Sequence, residues 1–379
     1  MIPFSRPSIK RRDMDAVLSC MVEDTLGPGE RTRAFCAALG EYLGMQEGGA
    51  FREYRRAVRA AFLSLELAPG SKLALSVLAP RAYYEVALEL GLSPVLFDVE
   101  PGSGVIDSGA LEQAQPEGIT AVVLDHPLGF VPDHEAVYAL GVPVIEDISH
   151  ALGAHDGTRL VGSGARFTVM ALETDCIITT GGGAVVLPGG RRERTALRTH
   201  ITELDADTML PDMNAALGLT QMKELPRFIE RRMEISAYFQ KAIAPGAHKS
   251  LRQSGDAENL CYAFAVVLET GVAAVIEYAK KNKVVTQAAF GDSILAQLIR
   301  GQAAAEQAAD AIPTAAEQAA ENAGAAEQVP SRATAHEAPH PDSFPVARDL
   351  VRRCVLFPIY PTLSRQEVET VTRVLSTLP

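Results

Sequence analysis

The sequence predicts an α/β protein: a mainly parallel β-sheet flanked by helices, followed by a smaller α+β domain. Three observations carry this expectation. Between about residues 56 and 190 helical patterns alternate with short β-branched runs, which implies parallel pairing through right-handed crossovers. Several of those runs end in polar residues, and open parallel sheets place ligands outside the carboxyl ends of their strands. In the last third a strand pattern, "LCYAFAVVLE", starts afresh and a helical pattern, "GVAAVIEYAKKN", follows it.

The elements follow in order. "AVRAAFLSLEL" has apolar residues at helical spacing and stops at the Pro-Gly of "APGS". "KLALSVLA" is a short apolar run, "YYEVALELG" is helical again, and "SPVLFDVEP" is a strand. "GITAVVLDHPLG" and "VPVIEDISHALGA" are strands that deliver Asp125, His126, Asp147 and His150 to one edge. "MALETDCIITTGGGAVVL" reads as a strand, a turn served by Gly181, Gly182 and Gly183, and a second strand. Residues 209–243 make a long helical tract broken at Pro226. Residues 301–340 are biased to Ala, Glu and Gln, with few large apolar side chains to dock a helix, and read as a loosely packed spacer. Ser364 and Glu367 have capping-box spacing at the start of the final helix.

At 379 residues the chain exceeds what one core usually holds, which suggests a large domain and a small one. The net charge of −12 argues against a nucleic-acid partner, which needs a concentrated basic face. Five widely spaced cysteines without a Cys-x-x-Cys pair or Cys/His cluster suggest reduced thiols, no metal and a cytoplasmic protein. No signal-peptide pattern or 18-residue apolar run is present, so no membrane partner is expected.

Taken together, "IPFSRPSI", "LGPGERTRAFCAALGEYLGM", "APGSKL", "GLSPVLFDVEP", "DHPLGFVPD", "VIEDISHALGA", "ITTGGGAVVL", "LRTH", "NAALGLTQMKEL" and "FPIYPTLSRQEV" form an ordered series. In order and spacing it resembles the DegT-type (DegT/DnrJ/StrS) sugar aminotransferases, pyridoxal-phosphate (PLP) enzymes of the aspartate-aminotransferase fold (fold type I) that aminate nucleotide-linked keto-sugars. The resemblance implies a large domain over residues 1–245 and a small C-terminal α+β domain over 246–379, interrupted by an insertion at about 285–340. It also implies a homodimer with sites at the subunit interface, and a nucleotide-sugar ligand.

The resemblance also implies site residues, and several positions depart from it. The family's Schiff-base lysine falls on Cys176, which forms no stable imine. The Ser-Gly-Thr phosphate turn falls on Glu53, Tyr54 and Arg55, where Tyr54 would obstruct the phosphate and Glu53 would repel it. The stacking aromatic falls on Pro80, a phosphate-binding serine on Ala171, and the asparagine that reaches across the dimer on Asp207. Asp147 matches the carboxylate that holds the pyridine nitrogen, His150 the residue beside it, and His126 the family's "HxxG" histidine.

Blander readings stand beside these. Glu146 and Asp147 could cap a following helix, His150 could be a satisfied partner of a carboxylate, and Cys176 a small buried hydrophobe. Arg55 beside Arg52 and Arg56 could be a solvated face. From the simultaneous departures the sequence leads to three expectations: no cofactor, no transaminase activity, and a binding, regulatory or structural role in sugar or polysaccharide biosynthesis. The alternative is a lysine-independent enzyme using PLP or its amino form (PMP), or Cys176 as a nucleophile.

Overall fold

The structure is a computed structural model that describes residues 1–253, 255–269, 271–310 and 339–379. Its main sheet has seven strands: β1 (Gly49–Phe51), β2 (Lys72–Ser76), β3 (Ser93–Phe97), β4 (Ile119–Asp125), β5 (Val144–Asp147), β8 (Phe167–Ala171) and β9 (Ala184–Pro188). A two-strand ribbon, β6 (His155–Asp156) and β7 (Arg159–Leu160), lies between β5 and β8 in sequence. The order across the sheet is β1-β9-β8-β5-β4-β2-β3. Strands β3, β2, β4, β5 and β8 pair in parallel, and only the β9 pairings are antiparallel. The expected mainly parallel sheet of a fold type I protein is therefore present.

Successive residues of these strands are buried on opposite faces. Leu73, Leu75, Ala121 and Val123 pack under the helices Tyr54–Ser64 and Arg81–Glu89. Ala74, Val122 and Leu124 pack on the other face with Leu111 and Val137. Burial on both faces explains why the strands read as continuous apolar runs and not as alternations. Between β2 and β4 the chain order reverses across the sheet, and the crevice at their carboxyl ends is where such sheets bind ligands.

A second, antiparallel sheet is built from β10 (Lys249–Ser250), β11 (Phe264–Val267), β12 (Gln287–Ala288) and β13 (Cys354–Phe357), in the order β10-β11-β13-β12. The helix Leu225–Ile243 covers it with Ile235, Phe239 and Ile243, and the helix Arg365–Ser376 adds Val368, Val371 and Leu375. Each of those side chains contributes roughly 1.5–3 kcal/mol by leaving water. The terminal helix starts on the expected capping box: Ser364 Oγ accepts the Glu367 amide at 3.2 Å, and Glu367 accepts the Ser364 amide at 2.8 Å.

Two expectations need refinement. The tract 209–243 is two helices, Asp212–Met222 and Leu225–Ile243, with Pro226 in the first turn of the second, where its missing N–H costs nothing. The insertion implied from about residue 285 is built into the fold at its start, ahead of the 301–340 stretch read as a spacer. Gln287 and Ala288 pair with β13, and Ile294 and Leu295 are fully buried at the start of the helix Ile294–Asp310. Periodicity missed this because the anchoring residues precede the Ala-rich bias. Residues 311–338 of the expected spacer lie outside the described residues.

Candidate functional site

Asp147 closes β5, in register with Asp125 on β4 and Val169 on β8. Its Oδ1 accepts the Ser149 amide at 2.9 Å, which fixes the carboxylate against its own turn. Its Oδ2 accepts two phenol hydroxyls, that of Tyr83 at 2.7 Å and that of Tyr54. Tyr54 is the first residue of the helix Tyr54–Ser64, and Tyr83 lies in the first turn of Arg81–Glu89, so both rings project over the end of β5. The two rings meet edge to face, 6.1 Å apart at 88°. Burial, then the charge of Asp147, holds both phenols well above the ordinary tyrosine range, so they remain donors at neutral pH.

Asp125 lies one strand away, and its Oδ1 has no partner among the described residues. Burial, then the charge of Asp147, raises its pKa to about 8, which makes it a neutral acid near pH 7. His126 directs Nδ1 at the Asp147 carbonyl, 2.7 Å away. His150 stacks on Tyr262, with centroids 3.7 Å apart at 23°, and burial lowers its pKa against the pull of Asp147 and Asp175. Tyr262 donates to Asp175 Oδ2 at 2.7 Å, which ties the approach to β11 to the loop that carries Cys176.

Cys176 is half-buried in that loop, its amide donating to Glu173 O at 3.1 Å. Burial, then the neighbouring Asp175, pushes its thiol well up, the opposite of what a nucleophilic cysteine needs. Gly181, Gly182 and Gly183 follow with φ of 80°, 128° and 103°, and a Cβ on Gly183 would lie 2.6 Å from Phe51 O. The expected turn role of these glycines is confirmed.

These residues surround a pocket of about 480 Å³, a volume suited to a small molecule. Tyr54, Pro80, Asp125, His126, Asp147, His150, Ala171 and Cys176 all line it. The structure thus brings together most of the positions singled out in the sequence. Three do not join them. Glu53 is an exposed N-cap, Arg55 pairs with Glu85 and Glu89 on the helix surface, and Asp207 is exposed in the turn Ala206–Thr208. Tyr54 acts differently from expectation: its hydroxyl is used on Asp147. Pro80 opens the helix Arg81–Glu89 and bridges to Ser293, and the Ala171 amide donates to Ser149 Oγ at 2.8 Å. Tyr83 and Tyr262 were not legible as site residues, since nothing in their local sequence shows which way their rings point. Asp125, Asp147, Glu173, Asp175 and Asp292 give the lining five carboxyl groups, and among the described residues it contains no lysine or arginine.

A family model, the DegT/DnrJ/EryC1/StrS aminotransferase family, matches residues 7–331. The chain belongs to this family. Spr1654 of Streptococcus pneumoniae, described as a sugar aminotransferase, superposes in its PMP form with a TM-score of 0.80 at 16% identity, covering 99% of this chain and 98% of that one. Its PLP form gives a TM-score of 0.80 at 17% identity over 99% and 97%. PseC of Helicobacter pylori, an aminotransferase of pseudoaminic acid biosynthesis, gives 0.79 at 19% identity over 98% and 97%. Identities this low carry the fold alone.

These comparisons correct one expectation. The sequence reading expects no cofactor, yet the family is one of aminotransferases and a structural neighbour exists in both PLP and PMP forms. Departures at individual positions therefore do not support an expectation of no cofactor. The residues present do not fit the lysine-bound form: among the described residues no lysine lines the pocket, and two tyrosines already use the carboxylate oxygen that would face a pyridine nitrogen. Among the described residues no helix is long and apolar enough to cross a membrane.

Proposed function

We propose that this member of the sugar aminotransferase family does not carry out lysine-dependent transamination, and that its pocket serves binding, with a nucleotide-linked sugar as the ligand class. The observation that carries the reading is the pairing of Tyr54 and Tyr83 with one oxygen of Asp147, opposite a half-buried Cys176. A chain without an amine in the pocket cannot close an imine, and its thiol is poorly ionised. Carboxylates and hydroxyls remain, groups suited to the hydroxyls of a sugar. The purified protein should show no hydroxylamine-sensitive absorption near roughly 410 nm, where a pyridoxal imine absorbs. Mass spectrometry of the released small molecules asks whether a sugar nucleotide travels with it. An imine band would sink the proposal.

A second reading is favoured by one observation: Asp147 and His150 still face the pocket. A pyridoxal compound held without a covalent bond would meet them, provided Tyr54 turned aside. Saturable PMP binding by calorimetry, lost in Asp147→Ala, would select this reading. The proposal also includes a homodimer. Met14, Leu18, Met21 and Val22 stand half-exposed or more along the helix Arg11–Val22, with Leu26 just beyond, an apolar stripe suited to a second copy. A cytoplasmic setting is part of it too, consistent with five free thiols.

A further inference from the structure

His126, His134 and Glu146 converge behind the pocket, with side chains 0%, 2% and 0% exposed. His126 leaves the end of β4, His134 opens the short helix His134–Ala139, and Glu146 is the penultimate residue of β5. His126 Nε2 is 3.2 Å from His134 Nε2, and Glu146 Oε2 is 3.3 Å from His134 Nε2 and 3.9 Å from His126 Nε2.

Hydrogen accounting shows what this centre lacks. His126 Nδ1 faces the Asp147 carbonyl, which only accepts, so the proton of a neutral ring sits on Nδ1. His134 Nδ1 faces Asp156 Oδ2 at 3.0 Å, and the same holds there. Both Nε2 atoms then present lone pairs to each other and to a carboxylate oxygen. Two imidazole lone pairs thus face each other beside a carboxylate oxygen whose one protein donor among the described residues is the Gly162 amide, an arrangement that a bound cation or a shared proton would satisfy.

We propose that the cation is a divalent transition metal of the zinc class, bound by His126 Nε2, His134 Nε2 and Glu146 Oε2. Tetrahedral bonds of about 2.0–2.1 Å place ligand atoms roughly 3.3 Å apart, close to two of the three separations here. The outer partners are those such ligands use. Each histidine donates its other nitrogen to a carbonyl or a carboxylate. Glu146 Oε1 is held by Tyr138 and by Arg159 at 2.9 Å, and the Gly162 amide donates to Oε2 at 2.7 Å. The site would pin the ends of β4 and β5 to each other directly behind Asp147. The competing occupant is a proton shared between the two imidazoles.

The test uses the full chain isolated from cells grown with zinc, and separately with cobalt. Metal analysis should find about one equivalent per chain, and the cobalt protein should show the visible bands of a tetrahedral ion. His134→Gln should reduce the metal content at least tenfold. Asp156→Asn alters only a partly exposed outer partner, and should weaken zinc binding about 10- to 100-fold while leaving the circular dichroism spectrum unchanged. Wild-type protein with less than about a tenth of an equivalent of metal would overturn the assignment in favour of the shared proton. Uptake that neither variant changes would overturn it too, by placing the metal elsewhere.

Discussion

Replacing Cys176 by lysine asks whether the site lacks only its amine. In the Cys176→Lys variant an imine with added PLP needs the pyridine nitrogen to reach Asp147, and the Tyr54 hydroxyl must leave first. A buried hydrogen bond to a charged acceptor is worth roughly 1.5–3 kcal/mol, and the displaced phenol must find another partner or lose that amount. Removing the ring as well, in Cys176→Lys/Tyr54→Ala, takes this competition away. The double variant should therefore bind PLP about 10- to 100-fold more tightly than the single one, since each 1.4 kcal/mol is a factor of ten. The assay is titration of the imine band, with borohydride trapping and peptide mapping to confirm the introduced lysine as the attachment site. A matched control, Tyr54→Ala alone, should give no band. Truncating a tyrosine this size also costs stability, of the order of 3–5 kcal/mol, so the variants need a folding check by circular dichroism. Equal affinity in the single and double variants would refute the argument, because it would mean that Tyr54 moves aside freely and the carboxylate is not committed.

Four further outcomes are expected. At pH 8 Cys176 should react with iodoacetamide at least about tenfold more slowly than a free thiol, as burial and Asp175 disfavour its thiolate; stopped-time alkylation followed by mass spectrometry measures this. Asp212 accepts the Thr32 amide and hydroxyl, both at 2.8 Å, and the Arg31 amide at 3.1 Å, capping the helix Glu30–Leu43 from a distant part of the chain. Those bonds hold its pKa below the ordinary value, so the stabilisation is present above the unfolded pKa near 3.9 and lost as pH falls through the folded one. Asp212→Ala should cost about 2 kcal/mol in urea at pH 7 and make the loss of stability on acidification below pH ~4 shallower. Arg232 donates to the carbonyls of Tyr262 and Ile359 at 2.8 Å and of Cys261 at 3.3 Å, so Arg232→Met should cost roughly 2–5 kcal/mol by orphaning them, read from urea unfolding. Light scattering at micromolar concentration should give the mass of a dimer, and Leu18→Glu on the apolar stripe should shift it toward that of a monomer.

The sheet was legible because its strands alternate with helices and carry polar residues at one end. Asp125, Asp147 and His150 could be placed on the pocket edge from that alone. Cys176, reached by counting back from the glycine turn, could likewise be placed at the pocket. What local sequence could not supply is orientation. Tyr54 and Tyr83 lie 93 and 64 positions before Asp147, and only the crossing of two helices over β5 aims both hydroxyls at it. Arg55 lies on the helix surface with Glu85 and Glu89, in line with its reading as a solvated face. His134 gave no signal because its partners follow no helical or strand period.

The lining of the pocket has a kinetic consequence. Its carboxyl groups other than the neutral Asp125, with no lysine or arginine lining the pocket among the described residues to offset them, favour a negative potential that dissolved salt weakens. Such a field sorts a two-ended molecule by which end leads. Were the proposed sugar nucleotide to bind, its neutral sugar would meet less repulsion from this lining than its phosphates, and the sugar end would lead. Raising the ionic strength should weaken that preference by screening the carboxylates.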